Sequence, residues 1–145
     1  MRIKYLLLAK DSSIDRDKNT SSIFDLFEGI TIEATVSKIT MMVHVFCLIE
    51  RKDEKGAIAD EALISVISPD GVESTRQEIP FKMKPENLRC RVRTNILLPI
   101  GSSGKYVFNL QLKKEVTVQA SADIDVDFKM VAPQQISDRD LENAL

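Results

Sequence analysis

Asp11, Asp15, Asp17 and Asn19 crowd the segment DSSIDRDKNTSS at positions 11–22, a density of oxygen donors suited to a hard cation such as calcium. Counted as a helix–loop–helix calcium loop from Asp15, the ligand positions fall on Asp15, Asp17, Asn19 and Ser21. The sixth position needs a glycine for its sharp turn and is Thr20; the twelfth needs a bidentate glutamate and is Leu26. The motif fails at both decisive places, so the segment reads as a solvated turn between two strands. A second arrangement stays open, with calcium held between loops as in C2 domains, Asp11, Asp15 and Asp17 converging on Asp125 and Asp127. C2 sites draw on Asp-x-Asp in a loop, whereas Asp125 and Asp127 lie in a strand-like run. No cofactor is expected.

The stretch LRCRVRTN puts Arg89, Arg91 and Arg93 on one side of a strand, with Leu88, Cys90 and Val92 on the other. Successive stems on one side stand about 7 Å apart, twice the rise per residue. That spacing suits a polyanion backbone. No aromatic shares the arginine side, so a stacking platform for single strands is missing and nucleic acid is not the expected partner. The competing reading is a charged outer face that keeps the strand soluble and unpaired. Asp123, Asp125 and Asp127 make a matching acidic row near the C-terminus. The arginines precede the bend at 99–104 by several residues and the aspartates lie level with it, so the rows belong towards opposite ends. Such a two-ended distribution suits docking of a protein partner or self-association through these six residues.

His44, in MMVHVFCLIE, is the only histidine and shares its side of the strand with Met42, Phe46 and Leu48. It reads as a packed or edge histidine rather than a base. Cys47 is an odd number of positions away and points oppositely, and Cys90 could approach only through folding. Phosphate loops, metal-helix motifs and glycine-flanked nucleophiles are absent, so an enzyme is not expected. Neither cysteine has a C-x-x-C neighbour; both sit in apolar strand-like runs and read as buried free thiols, a disulfide remaining open if the strands face each other.

These residues must be positioned by strands, because period-two alternation dominates the chain. Strands are expected at about 2–9, 22–35, 40–51, 61–68, 73–82, 88–98, 105–112 and 116–131, with turn chemistry in KDEKG, PDG, KPEN and PIGSSG between them. Without crossover helices, eight such strands imply an all-β, antiparallel β-sandwich, Ig-like or C2-like. The expected domain is 1–131, followed by a tail at 132–145 in which Ser137 could cap a short helix bearing Leu141 and Leu145.

Two local expectations are sharper. A three-residue turn, Lys113-Lys114-Glu115, would pair Leu112 with Val116 and Phe108 with Ala120, placing Asp123 opposite Lys105. Glu28 interrupts the inward series Phe24, Leu26, Ile30 and Ile32, and Gly29 beside it suggests a bulge that turns the carboxylate outward.

At 145 residues, 43% hydrophobic and 29% charged, the composition is that of an ordinary globular domain. A net charge of -2 gives no global pull towards nucleic acid or anionic membrane. The opening MRIKYLLLAKD imitates a secretion signal, but its apolar run is too short, and no segment is long enough to span a bilayer. A cytoplasmic location is expected.

YLLLAKD, SSIFDLFEGI, ALISVISPDG and LLPIGSSGKYVFNLQL together resemble a family of small uncharacterised bacterial proteins. In that family an N-terminal strand ends in an acidic turn and is followed by an apolar-Phe-Asp strand, a Pro-acidic-Gly turn and a Gly-x-Tyr-x-Phe strand. The likeness spans about residues 3–130 and rests on turn and core motifs. It implies a β-sandwich of unknown function and carries over no catalytic residue. The functional expectation is a non-catalytic protein–protein interaction or accessory module; the alternatives are a calcium-assisted C2-like module and a weak nucleic-acid binder through the arginines.

Overall fold

A computed structural model describes residues 1–133; the expected tail helix at Ser137 lies outside the described residues. Nine strands fall among the described residues: β1 (Arg2–Asp15), β2 (Thr20–Leu26), β3 (Gly29–Ala34), β4 (Ile39–Glu50), β5 (Ile58–Ile67), β6 (Glu73–Met83), β7 (Arg89–Ile100), β8 (Gly104–Leu112) and β9 (Ala120–Met130). They form two sheets, ordered β2-β1-β4-β7 and β3-β9-β8-β5-β6. Between them lies one apolar core, to which β4 contributes Val43, Val45, Cys47 and Ile49, and β8 contributes Tyr106, Phe108, Leu110 and Leu112. The alternation of these residues with polar ones is what made the strands visible in the sequence.

Four expectations need correction. The segment 22–35 is not one strand. It divides at Phe27–Glu28, leaving β2 in the first sheet and β3 in the second. Asp25 takes a left-handed φ of 54° just before the crossing, which breaks the alternation. Phe24 and Leu26 are consequently exposed, while Ile30 and Ile32 do pack against the core. Glu28 is exposed, as expected, because the chain is changing sheets there rather than bulging.

Nor is the pairing wholly antiparallel. β3 lies parallel to β9, Gly29 opposite Asp125 and Ala34 opposite Met130. The segment enters the second sheet from the first, so its direction is set by the crossing and not by a hairpin.

The β8–β9 connection is longer than a three-residue turn. The Lys113 amide bonds to the Glu61 carbonyl, and pairing resumes only when the Gln119 amide reaches the Leu110 carbonyl. Ala120 therefore opposes Leu110, and Lys105 faces Asp125 instead of Asp123. The slip is by an even number, so every side chain keeps its expected face. Val116, expected in the strand, is 96% exposed in the connecting loop.

Finally, β1 runs on to Asp15, well past residue 9, and the acidic loop shrinks to a tight turn. Asp15 closes that turn by accepting the amides of Asp17 and Lys18 through Oδ1, and Asn19 supplies a left-handed φ of 55°.

The expected PDG turn follows its chemistry, with the Gly71 amide on the Ser68 carbonyl and Gly71 at φ +84°. Gly104 is needed for closeness as well as for its φ of +131°, since a Cβ there would stand 2.7 Å from Pro69. In the GKYVF stretch, the Tyr106 hydroxyl donates to the Ser102 carbonyl at 2.9 Å, and Phe108 is fully buried. That motif is packing.

Candidate functional site

β1 pairs with β4 only from Arg2 to Ala9, yet it stays paired with β2 as far as Asp15. Beyond Ala9 the hairpin therefore leaves the sheet edge. Its contacts show where it goes. The Arg93 Nη1 donates to the Ser12 carbonyl at 3.2 Å, and the Arg91 Nη2 donates to the Asn19 carbonyl and Oδ1 at 2.8 and 2.7 Å. Since β4 separates β1 from β7 in the sheet, the distal hairpin must cross over the outward side of β4. This explains why β4 is buried without interruption from Val43 to Ile49. The even members face the hairpin, and Phe46 is only 1% exposed although it lies outside the core between the sheets.

His44 is the tie beneath this flap. Its Nδ1 lies 2.8 Å from the Asn95 Oδ1, and its Nε2 lies 2.6 Å from the Ser12 Oγ. In the neutral ring an oxygen acceptor on Nδ1 fixes the proton there, so Nε2 accepts from the Ser12 hydroxyl. The polarity is that of a nucleophilic triad, but Ser12 and His44 are 6% and 7% exposed. Neither lines the cleft at the Glu50 end of the first sheet. The histidine is packed, as its neighbours in sequence suggested.

The flap also forms a cleft of about 870 Å³ at the Glu50 end of the first sheet. Tyr5 and Leu48 contribute its apolar part, Glu50, Arg89 and Arg91 the adjoining charges, and Ile14, Arg16, Asn19 and Ser21 the hairpin wall. The opposite wall is the β6–β7 turn with Lys82, Glu86, Asn87 and the 72% exposed Leu88. Arg51 braces that turn, donating to the carbonyls of Asn87 at 2.7 Å, Lys84 at 2.6 Å and Glu54 at 3.1 Å. Hydrogen bonds from Arg2 and Arg89 hold the Glu50 carboxyl below its ordinary pKa of 4.5, with the charges of Arg2 and Lys4 assisting. Both walls are thus fixed by hydrogen bonds before any ligand arrives.

The arginine row expected from sequence is real as a row: Arg89, Arg91 and Arg93 oppose Glu50, Leu48 and Phe46 on β4. All three reach protein groups, since Arg89 pairs with Glu50 and the other two hold the hairpin. The acidic row lies on the other sheet. Asp123, Asp125 and Asp127 are exposed on β9, near the β7–β8 connection, where Lys105 approaches Asp123 at 3.9 Å and Lys129 approaches Asp127 at 3.3 Å. Asp11, Asp15 and Asp17 belong to the hairpin of the first sheet, so the five proposed calcium ligands are not brought together. Among the described residues no group of three or more His, Cys, Asp or Glu side chains is placed to hold a metal ion.

Cys47 and Cys90 are free and sit diagonally on adjacent strands, Cys47 opposite Val92 and Ile49 opposite Cys90. Burial, with the Cys90 charge adding, pushes the Cys47 thiol up to about 12, and burial also raises Cys90. Thiolate chemistry is disfavoured at both.

Sequence reasoning missed Ser12, Asn95, Arg16 and Tyr5, and read Asn19 only as a cation ligand. Asn95 was legible as the next same-side residue after Arg93. The others depend on a hairpin folding over its own sheet, which no periodicity records.

Among the described residues no helix is long and apolar enough to cross a membrane. Comparison with protein-family models and with curated proteins found no match for this chain.

Proposed function

We propose that the protein is a non-catalytic interaction or accessory module whose working surface is the cleft under the β1–β2 flap. The observation that carries this reading is a preformed cavity of about 870 Å³ whose two walls are each fixed by arginine hydrogen bonds to backbone carbonyls. Preorganised walls lower the entropic cost of binding. The groups nearest to a catalytic arrangement, Ser12 and His44, are buried away from it.

We read the architecture as an Ig-like sandwich. Supporting this, β1-β4-β7 follow the A-B-E order of one immunoglobulin sheet, and β9-β8-β5-β6 follow the G-F-C-C′ order of the other. Fold alone assigns no activity, so the functional reading rests on the cleft. A calcium-assisted C2-like role lacks converging aspartates, and a nucleic-acid role finds Arg91 and Arg93 engaged with the hairpin. The free thiols accord with a reducing, cytoplasmic setting. The resemblance to small bacterial sandwich proteins is part of the same reading.

Affinity capture from native lysate, with light scattering of the isolated chain, tests the proposal. A stoichiometric partner or self-association, retained when Asp123, Asp125 and Asp127 are changed to lysine, is expected. A strictly monomeric protein with no stoichiometric partner ends it.

A further inference from the structure

The lining of the cleft says more than that something binds. Four cations, Arg16, Lys82, Arg89 and Arg91, meet two carboxylates, Glu50 and Glu86, and Glu50 is already held by Arg2 and Arg89. Arg16 and Lys82 make no side-chain hydrogen bond or ion pair among the described residues, while Arg91 uses only Nη2 on Asn19. Its Nε and Nη1 make no hydrogen bond among the described residues, and Arg91 lines the cleft. A surplus of positive charge with uncommitted donors calls for an anionic occupant.

The apolar residues narrow its class. Leu88 stands 72% exposed at the rim and Tyr5 37% exposed beside Leu48, so a bare inorganic anion would leave them uncovered. A polynucleotide would set its phosphates against Glu50 and Glu86. It would also find the Tyr5 ring already stacked on Phe46, centroids 6.3 Å apart and planes 12° from parallel. An extended peptide fits better, because its same-side residues repeat at about 7 Å, the spacing of the Arg89 and Arg91 stems.

Resting on the interaction-module reading above, we propose that the cleft takes an extended acidic peptide segment of a partner protein, with aspartate or glutamate at alternate positions meeting the cations and an apolar side chain lying between Leu88 and Tyr5.

The test uses the full chain and a fluorescent synthetic heptapeptide library of alternating Asp/Glu and Leu/Phe, with matched Asn/Gln and Lys versions. The acidic library binds, shifts the NMR signals of Tyr5, Leu48 and Leu88, and weakens with added salt. The double change Arg16→Glu with Lys82→Glu reduces that binding at least about tenfold, and its unfolding curve stays that of the parent because neither side chain holds the fold. Leu88→Asp weakens binding without the same salt dependence. Equal binding of the Asn/Gln peptides, tighter binding of an oligonucleotide or of phosphate alone, or signal shifts away from the cleft overturns the proposal. A partner captured from lysate equally well by the Arg16/Lys82 variant overturns the acidic peptide while leaving the interaction module standing; a strictly monomeric protein with no partner removes the module itself.

Discussion

Arg89, Arg91 and Arg93 on β7 and Asp123, Asp125 and Asp127 on β9 are written in the same way: like charges at every second position of a strand whose other side is apolar. The protein uses them differently. On the first sheet the outward side is covered by the distal half of the β1–β2 hairpin, and Arg91 and Arg93 bind the cover through its carbonyls, while Arg89 pairs with Glu50. On the second sheet the aspartates stay exposed, with only surface lysines beside them. The lesson is that a charged stripe is a solvated face only if nothing returns over it. A guanidinium can hold a returning hairpin by donating to its carbonyls, whereas a carboxylate only accepts, and beside β9 it meets surface lysines rather than a returning strand.

Several measurements can break or sharpen that contrast. The largest effect belongs to Phe46, which behaves as a core residue only because the flap covers it. Phe46→Ala costs about 3–5 kcal/mol in urea unfolding. A loss under about 1 kcal/mol would mean the flap is not a cover at all. Next come the partners of His44. Ser12→Ala leaves the buried Nε2 unpartnered and costs about 1–3 kcal/mol, whereas Asn95→Ala, at an exposed position where water can replace the amide, costs about 1 kcal/mol or less. A double-mutant cycle gives less than the sum, since both act on one imidazole. Arg91→Ala, which removes a charged donor to the turn, costs about 1 kcal/mol and speeds amide exchange in residues 12–24 more than in β8.

Acid compares the sheets through Glu50 and Glu61, each held below 4.5, Glu50 chiefly by Arg2 and Glu61 chiefly by a hydrogen bond from Lys113. A lowered folded pKa stabilises above the unfolded value, so this contribution is present above pH 4.5 and fades as pH falls through the lowered values. Glu50→Gln shrinks the acid loss at the cleft and Glu61→Gln at the second sheet, read from unfolding midpoints against pH. At the alkaline side Cys47 has the opposite sign: its stabilisation is complete below pH 9.0 and declines as pH climbs towards about 12. Smallest of all is the acidic row, where Asp125→Asn changes stability by less than about 0.5 kcal/mol. A larger value would show that β9 has a cover of its own.

How much of this was readable beforehand follows from what periodicity encodes. The strands from β4 to β8 fell close to their expected places because their apolar faces meet one core, and alternation reports that directly. The sides taken by His44, Cys47 and the arginines followed for the same reason. What failed were events that leave the period intact or interrupt it once. The β8–β9 slip preserves every face, so no pattern of hydrophobicity distinguishes Asp123 from Asp125 opposite Lys105. The passage from β2 to β3 needs only one left-handed residue, and Asp25 gives less warning of that than a glycine would. The cleft was illegible because it arises from a hairpin returning over its own sheet. Its one trace was the unbroken buried run VHVFCLI, which suits a strand covered on both sides.

The parallel seam between β3 and β9 joins Gly29 to Asp125 and Ala34 to Met130. On a ribosome, β3 emerges long before β9, and its pairing edge has no partner strand until β9 follows. The nascent chain must therefore carry an open ribbon while β4 to β8 are made. β9 works as a closing clasp, and a variant lacking it would leave β3 without a partner strand as well as uncover one edge of β8.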